Sequence, residues 1–441
     1  MDKYQSIKRA RHHIVFLSAL IVGAVLINFL NSIDIKKDGS SMKALENQIA
    51  PEITINKKDL NLTQEQWAKT AWIYFENNYN EKTGLVNSVD KFKSATLWDT
   101  GNYIMALISA YRLDIIGEVK FHNRLSRILT TLSNLELYKG LLPNKVYNTK
   151  TLKMTDYSNK NIKNGIGWSS IDIGRILAPL SFINLKYPKY NKEIKTILSK
   201  WKFKSLQKNG ELYGASINKK EKHTLVQEGR LGYEQYSSKV FALFGICSSN
   251  AIRYDRYLKF INIYDIEIPY DSRDNSNFGA NNYVLMEPYM LDGLEFGWDY
   301  YSKEFSYRLY KAQEERYKDT GILTAVTEDH IDVKPYFVYN SIFVNKKEWV
   351  AIDDNGDVYD DKKSLSTKAS FAMNALYHTD YTKKLLDKVI TLQSDRGWYA
   401  GIYEKTGKIN KALSCNTNAI ILESLLYQKE GLLLQISKGI K

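Results

Sequence analysis

The sequence predicts a mostly helical chain whose helical hairpins close into a ring. Three observations predict it. Apolar residues recur at helical spacing from Leu62 onward. Gly84, Gly140, Gly210, Gly321 and Gly397 each end a helical stretch and open a short apolar, partly extended segment. These glycines are 56, 70, 111 and 76 residues apart, which fits a unit of about 55–75 residues with the third gap counting as two. A hairpin that exposes one apolar face must bury it against a neighbour, and six such hairpins can close into an (α/α)6 toroid of inner and outer helices. One ring replaces the roughly three domains that 441 residues would otherwise suggest.

Taken in chain order, residues 1–13 are a basic segment and 14–30 an uncharged run, IVFLSALIVGAVLINFL. That run is at the short end of what spans a bilayer as a helix. Lys8, Arg9 and Arg11 precede it, which predicts a cytoplasmic amino terminus and a single-pass signal anchor in a bacterial inner membrane, with the main domain periplasmic. No small-x-small cleavage site follows cleanly in NSIDIKKDGSS, which argues against a cleaved signal peptide. Residues 31–60 read as a polar linker and 61–435 as the helical domain. Helices are expected over 63–79, 98–116, 120–137, 168–186, 190–204, 233–249, 302–318, 366–378, 380–393 and 415–429, with caps at Thr63, Ser169 or Ser170, and Ser366. YFVYNSIFV and EWVAIDDNGDVY, near 336–360, read as strands with Asn355-Gly356 as the hairpin turn. Asp353, Asn355 and Asp357 mimic a calcium loop, but Val358 stands where glycine is needed and Ser364 where glutamate is needed.

Composition is that of a globular protein, 44% hydrophobic and 25% charged, with 32 Tyr, 8 Trp and 16 Phe. The net charge is +13, of which residues 1–43 supply +4; most cations are lysines spread along the chain, without a nucleic-acid-binding signature. Cys247 and Cys415 read as small buried residues, too few for a disulfide framework. There is no Walker A loop, dinucleotide fingerprint, HExxH or nucleophile elbow, and the six histidines are not paired at metal spacing. Neither cofactor nor metal is expected.

What remains is a set of carboxylates in glycine- and aromatic-rich junctions: Asp99 in LWDTGNY, Asp172 in GWSSIDIGR, Glu228 and Glu234 in QEGRLGYEQY, and Glu287, Asp292 and Glu295 in MEPYMLDGLEFG. Glu328 and Asp329 follow in TAVTEDH, and Glu404 in GWYAGIYE. Most stand at or just before helix starts, and the loops on one rim of a toroid converge over its centre. Paired carboxyls are what glycoside hydrolysis needs, one protonated as acid and one charged as base or nucleophile. Glu228 and Glu328 are the first choices, with Glu287, Asp99, Asp329 and Glu404 as partners. Each carboxylate alone can equally be a helix cap. Trp98, Trp168, Tyr213, Tyr233, Tyr289 and Trp398 are candidate sugar-binding rings, with core packing as the alternative. Arg175, Arg230 and Arg273 could orient carboxylates or meet an acidic substrate.

In their order along the chain, WDTGNY, GWSSIDIGR, QEGRLGYEQY, MEPYMLDGLEFG, TGILTAVTEDH, GWYAGIYE and NTNAIILESL resemble the bacterial domain of unknown function 3131, over about Leu62 to Leu434. That family is described as glucoamylase-like and is often found beside envelope polysaccharide machinery. The resemblance implies an (α/α)6 toroid, an oligo- or polysaccharide ligand, and a polysaccharide synthase or export complex as partner. Met286 and Thr327 replace the family's more usual serines, and neither change removes a carboxylate. Three functions fit: a membrane-anchored periplasmic glycoside hydrolase or transglycosylase, a non-catalytic polysaccharide-binding subunit, or a lyase with Tyr233 or Tyr236 as base and Arg230 neutralising a uronate.

Overall fold

The computed structural model of the protein describes residues 48–434 except 56 and 218–221. The apolar run 14–30 lies outside those residues. Among the described residues no helix is long and apolar enough to cross a membrane.

Helix α1 (Leu62–Asn78) starts ahead of the expected Thr63 cap: the Asn61 side chain accepts from the Gln64 amide, and Gln64 returns a bond to the Asn61 amide. There follow α2 (Leu97–Arg112), α3 (Glu118–Asn134), α4 (Ser170–Lys186), α5 (Asn191–Lys200) and α6 (Tyr233–Leu243). Then come α7 (Glu287–Phe296), α8 (Tyr300–Thr320), α9 (Thr367–Tyr377), α10 (Asp380–Val389) and α11 (Cys415–Glu430). Every helix expected from periodicity is present, with shifted ends. Helix α7 is additional. Its Pro288 and Gly293 look like helix breakers in the sequence, but Pro288 sits in the first turn, where its missing N–H costs nothing. Gly293 lies under the Trp298 indole, where a Cβ would come within 2.5 Å of the ring.

Helices α2, α4, α6, α7, α9 and α11 pack side by side in that order, and α11 returns to α2 to close an inner ring. They are apolar nearly all round; α2 buries every residue from Leu97 to Ala110. The outer helices are amphipathic: α3 buries Phe121, Leu125, Ile128, Leu129 and Leu132 while Val119 stays exposed. Strands β1 (Glu211–Ile217) and β2 (His223–Gln227) form a hairpin between α5 and α6. A second hairpin, β3 (Leu258–Ile263) with β4 (Ile266–Asp271), takes the outer place between α6 and α7 and packs on α8.

The expected small β element is a three-stranded sheet, β5 (Glu328–His330), β6 (Phe337–Val344) and β7 (Lys347–Ile352). Its main turn is not at Asn355-Gly356. β6 and β7 turn at Asn345 and Lys346, both with positive φ, as tight antiparallel hairpins require. Asn355-Gly356 makes a second, smaller turn closed by a bridge between Ile352 and Val358. There the Asp353 carboxylate accepts from the Asn355 and Asp357 amides, so the calcium-like spacing serves a turn. Helix α6 ends at Leu243, short of the expected 249, which leaves Cys247 exposed in the following turn rather than buried. Cys415 is buried at the start of α11. Part of the segment expected as linker lies on the domain: the Ile49 and Ala50 amides donate to Glu304 of α8.

Inside the inner ring Arg175 of α4 is fully buried and reaches four other inner helices. Its Nε donates to Asn102 of α2 at 2.7 Å and one Nη to the Tyr236 hydroxyl of α6 at 2.8 Å. It forms ion pairs with Glu295 of α7 and, at 2.7 Å, with Glu423 of α11. Burial, then the negative charge of Glu295, pushes the Glu423 carboxyl up to about 8 although Arg175 opposes both. With a proton on Glu423 the group is neutral. Replacing Arg175 with Met strands a buried carboxylate and should lower unfolding free energy by roughly 3–5 kcal/mol. Glu423→Gln keeps the neutral shape and should cost less than about 1 kcal/mol. Urea denaturation of the two variants compares these losses directly.

Candidate active site

An outer helix, or between α6 and α7 the β3–β4 hairpin, separates successive inner helices along the chain, so the inner helices start on the same rim. Each contributes a first-turn residue there: Trp98 and Asp99 of α2, Asp172 of α4, Tyr233 of α6, Glu287 of α7, Lys368 of α9 and Asn416 of α11. The partial positive charge of the helix N-termini favours carboxylates in this space.

Glu287 is fully buried at the first position of α7. One oxygen accepts from Thr327 at 2.7 Å and pairs with Lys368 Nζ at 2.7 Å, and the other accepts from Asn416 Nδ2 at 2.8 Å. Burial alone would discharge Lys368, but Glu287, Asp329 and Glu328 together hold its ammonium above the ordinary range. Glu328, on β5, accepts from the Tyr233 hydroxyl at 2.5 Å. Burial, then the charge of Glu287, pushes its carboxyl up to about 8 against the pull of Lys368 and the Tyr233 hydrogen bond. Asp329 takes the Ser366 hydroxyl on one oxygen at 3.2 Å; its other oxygen is buried without a partner. Burial pushes Asp329 up to about 8 as well. Both carboxyls therefore hold protons at neutral pH.

A second carboxyl group stands at the start of α4. Glu228, just past β2, accepts from the Ser170 amide at 2.6 Å and its hydroxyl at 3.1 Å. Burial, then the charge of Glu228, lifts Asp172 to about 7, with Lys145 pulling the other way. Asp99 accepts from Thr96 at 2.9 Å across its own helix cap, and its charge reaches both Asp172 and His330. The wall is aromatic. Trp98 lies 6.0 Å from Tyr233 between ring centroids, and Tyr283 stacks on Tyr339 at 3.8 Å and 11°. Tyr157 is also close enough to feel Asp172 and Glu228.

Of the residues chosen from sequence, Trp98, Asp99, Asp172, Glu228, Tyr233, Glu287, Glu328 and Asp329 come together here. The others go elsewhere. Glu404 pairs with Arg316 of outer helix α8 through both oxygens, at 3.0 and 2.6 Å, which gives it a structural contact in place of the catalytic one expected. Trp168, Tyr289 and Trp398 are buried, and their contacts are those of core residues: the Trp168 indole donates to the Tyr213 carbonyl and Trp398 to the Trp67 carbonyl. Tyr213 sits in β1 opposite Gln227. Arg175 is the core residue described above. Arg230 donates to the Arg273, Gln227 and Gly229 oxygens, and Arg273 itself is held by Glu234 and Asp271. Tyr236 is buried on Arg175 and Glu295, so neither it nor Arg230 is placed as a lyase would need.

Sequence reasoning missed Lys368, Asn416, Lys145, Tyr157, Tyr283 and Tyr339. Lys368 left a signal, as a lone cation at the start of an otherwise apolar helix, where the helix dipole opposes it. The tyrosines left none among so many. Among the described residues no group of three or more His, Cys, Asp or Glu is arranged to hold a metal ion.

The model of a family described as Protein of unknown function (DUF3131) matches residues 66–431. Solved structures share the fold at low identity. A Bacteroides fragilis protein provisionally named a glucoamylase is 12% identical, with a TM-score of 0.61 over 87% of this chain and 94% of that one. An endo-β-1,2-glucanase from Chitinophaga pinensis, in complex with sophorotriose and glucose, is 12% identical, with a TM-score of 0.59 over 84% and 93%. An endo-β-1,2-glucanase from Talaromyces funiculosus, in complex with sophorose, is 11% identical, with a TM-score of 0.55 over 84% and 85%. Likeness at these identities establishes a shared helix-rich ring. No curated protein matches the sequence.

Asp329 keeps in the folded state a proton that an unfolded aspartate releases near pH 4. Its contribution to stability is therefore full below about pH 4 and is lost as pH rises through about 8. Asp329→Asn should flatten the fall of thermal midpoint between pH 5 and 8. An unchanged slope would mean that Asp329 is ionised in the folded protein.

Proposed function

We propose a glycoside-cleaving role for this chain, which belongs to the DUF3131 family: hydrolysis, or transfer, at the glycosidic bonds of an envelope or exported polysaccharide. The supporting observation is a set of carboxyls whose environments differ sharply on one tyrosine-lined rim. Glu328 carries a proton at neutral pH, whereas Glu228 accepts hydrogen bonds from the Ser170 amide and hydroxyl at the start of α4. Splitting carboxyls in this way equips a site with an acid and a base. Glu328 gives its proton to the leaving glycosidic oxygen. Glu228 takes a proton from the water, or acceptor hydroxyl, that bonds to the anomeric carbon. Glu287, held by Lys368, Thr327 and Asn416, positions charge next to Glu328 without facing the substrate as acid. The endo-β-1,2-glucanases that share the fold make neutral β-glucans the first substrates to try.

The apolar run Ile14–Leu30 behind Lys8, Arg9 and Arg11 supports a single-pass anchor that holds the ring on the periplasmic side of the inner membrane, beside polysaccharide synthesis or export machinery. Protease added to spheroplasts should then degrade the ring; protection would place it in the cytoplasm.

New reducing ends from linear β-1,2-glucan, or from another glucan in a panel of bacterial polysaccharides, test the activity. Glu328→Gln should slow cleavage by about 10²–10⁴-fold. Because Glu328 must be protonated to act, the wild-type rate should fall as pH rises through about 8. Glu404→Gln should lower the thermal midpoint and leave turnover intact. Binding of glucan with no reducing ends over long incubation would identify a non-catalytic subunit instead.

A further inference from the structure

We propose that the rim opposite the carboxyls is a membrane-docking face, which seats on anionic phospholipid headgroups and turns the acid-bearing mouth away from the bilayer. The proposal rests on the single-pass anchor proposed above and adds which face of the ring meets lipid, and by what chemistry.

The inner helices start on the carboxyl rim, so they end on the opposite one. Turns over 113–117, 187–190 and 297–299 then start the outer helices α3, α5 and α8 there. Side-chain and backbone contacts join the parts of this back rim. The Lys58 amide donates to the Gln428 carbonyl in the last turn of α11 at 2.9 Å, which brings the start of α1 to the same rim. Arg112, at the end of α2, bonds to Glu430 at 2.6 Å, and Lys429 pairs with Asp114 at 3.1 Å. Phe121 of α3 lies 5.1 Å from Tyr187 just beyond α4, and His122 meets the Tyr190 hydroxyl at 2.9 Å.

The chain also enters the ring on this side. The Ile49 and Ala50 amides are held by Glu304 near the start of α8, and the chain passes from there to Lys58 and α1. Only residues 31–48 separate Ile49 from the end of the apolar run, a stretch that reaches about 60 Å at full extension. A tether of that length holds the rim at high effective concentration beside the bilayer.

What the rim exposes suits lipid. Leu62, Val119 and Tyr300, in the first turns of α1, α3 and α8, are 84%, 76% and 57% exposed, and Leu185, in the last turn of α4, is 59% exposed. Beside Leu185 the lysines begin. From Lys186 to Lys208 eight lysines stand against Glu193 alone, and all eight are exposed. Lys186, Lys189 and Lys192 lie at the rim itself, around the turn from α4 into α5. Apolar side chains enter the headgroup boundary while ammonium groups meet phosphates. A soluble polyanion would use the lysines and leave Leu62, Val119 and Leu185 in water, so the mixture favours a lipid surface. The carboxyls of the far rim oppose the inverted seating.

The full-length chain is reconstituted in nanodiscs of phosphatidylcholine, alone or with about a third phosphatidylglycerol. A fluorophore is carried at Leu185→Cys on the back rim or at Lys150→Cys in Cys247→Ser protein, where the remaining Cys415 is buried. Lys150 follows residues 146–148, which pair with 94–96 just before α2, so it marks the carboxyl rim. Spin-labelled headgroups should quench the Leu185→Cys probe about fivefold more with phosphatidylglycerol than without, and leave the Lys150→Cys probe unchanged. Lys186→Glu, Lys189→Glu and Lys192→Glu together should lower the seated-to-free ratio at least about a hundredfold. High salt should do the same to the unsubstituted rim. Unchanged thermal midpoints separate these effects from misfolding. Equal quenching on the two rims, or none at Leu185→Cys with phosphatidylglycerol, overturns the docking face. So does release of the probe by dextran sulfate at a lower charge concentration than the lipid, which would make a soluble polyanion the occupant. Alkaline extraction from phosphatidylcholine vesicles tests the anchor separately. A chain stripped off in this way has no span, and quenching at Leu185→Cys on phosphatidylglycerol vesicles still judges the rim.

Discussion

A fully buried arginine organises this ring. Arg175 has no exposure, so its charge must be met inside the protein, and the groups that meet it come from four other inner helices. Buried ion pairs add little net stability, but breaking one is costly because it strands a charge. The inner helices therefore cannot slip along one another without losing bonds from Asn102, Tyr236, Glu295 or Glu423. Apolar faces alone tolerate sliding; a guanidinium with fixed partners does not.

The rim inherits that registration. Helices fixed at one height bring their first turns to one height, where Asp99, Asp172, Tyr233, Glu287, Lys368 and Asn416 meet. The buried rim then has more carboxyls than nearby cations can balance. Lys368 pairs with Glu287, and the charge of Lys145 opposes the rise of Asp172. Glu328 and Asp329 are left over, and burial resolves the surplus by keeping them protonated. The acid form that glycoside chemistry needs follows from this crowding.

Much of this was legible from local pattern. Periodicity located the helices, and all five repeat glycines adopt positive φ, but only Gly321 caps a helix; Gly140, Gly210 and Gly397 turn the chain at short paired strands. Helix α7 was hidden because Pro288 and Gly293 read as breakers, although one sits in a first turn and the other under an indole. The site was harder. Glu404 and Glu328 occupy similar junctions, and their sequence surroundings do not separate them. One meets Arg316 on the outer layer and the other meets Tyr233 inside. Trp168 and Trp398 also stand near acids in the sequence, but their indoles bond to backbone carbonyls in the core.

The sequence by itself determined a helix-rich ring and the acid-bearing junctions, eight of whose residues meet on one rim, because hydrophobic period and junction composition are local properties of the chain. Which carboxyls hold protons was decided only by the tertiary structure. A carboxyl's charge depends on what surrounds it, and those neighbours lie far away along the chain. Tyr233 is 95 residues from Glu328, and Asn416 is 129 from Glu287. Spacing in the sequence does not encode such distances; closure of the ring sets them.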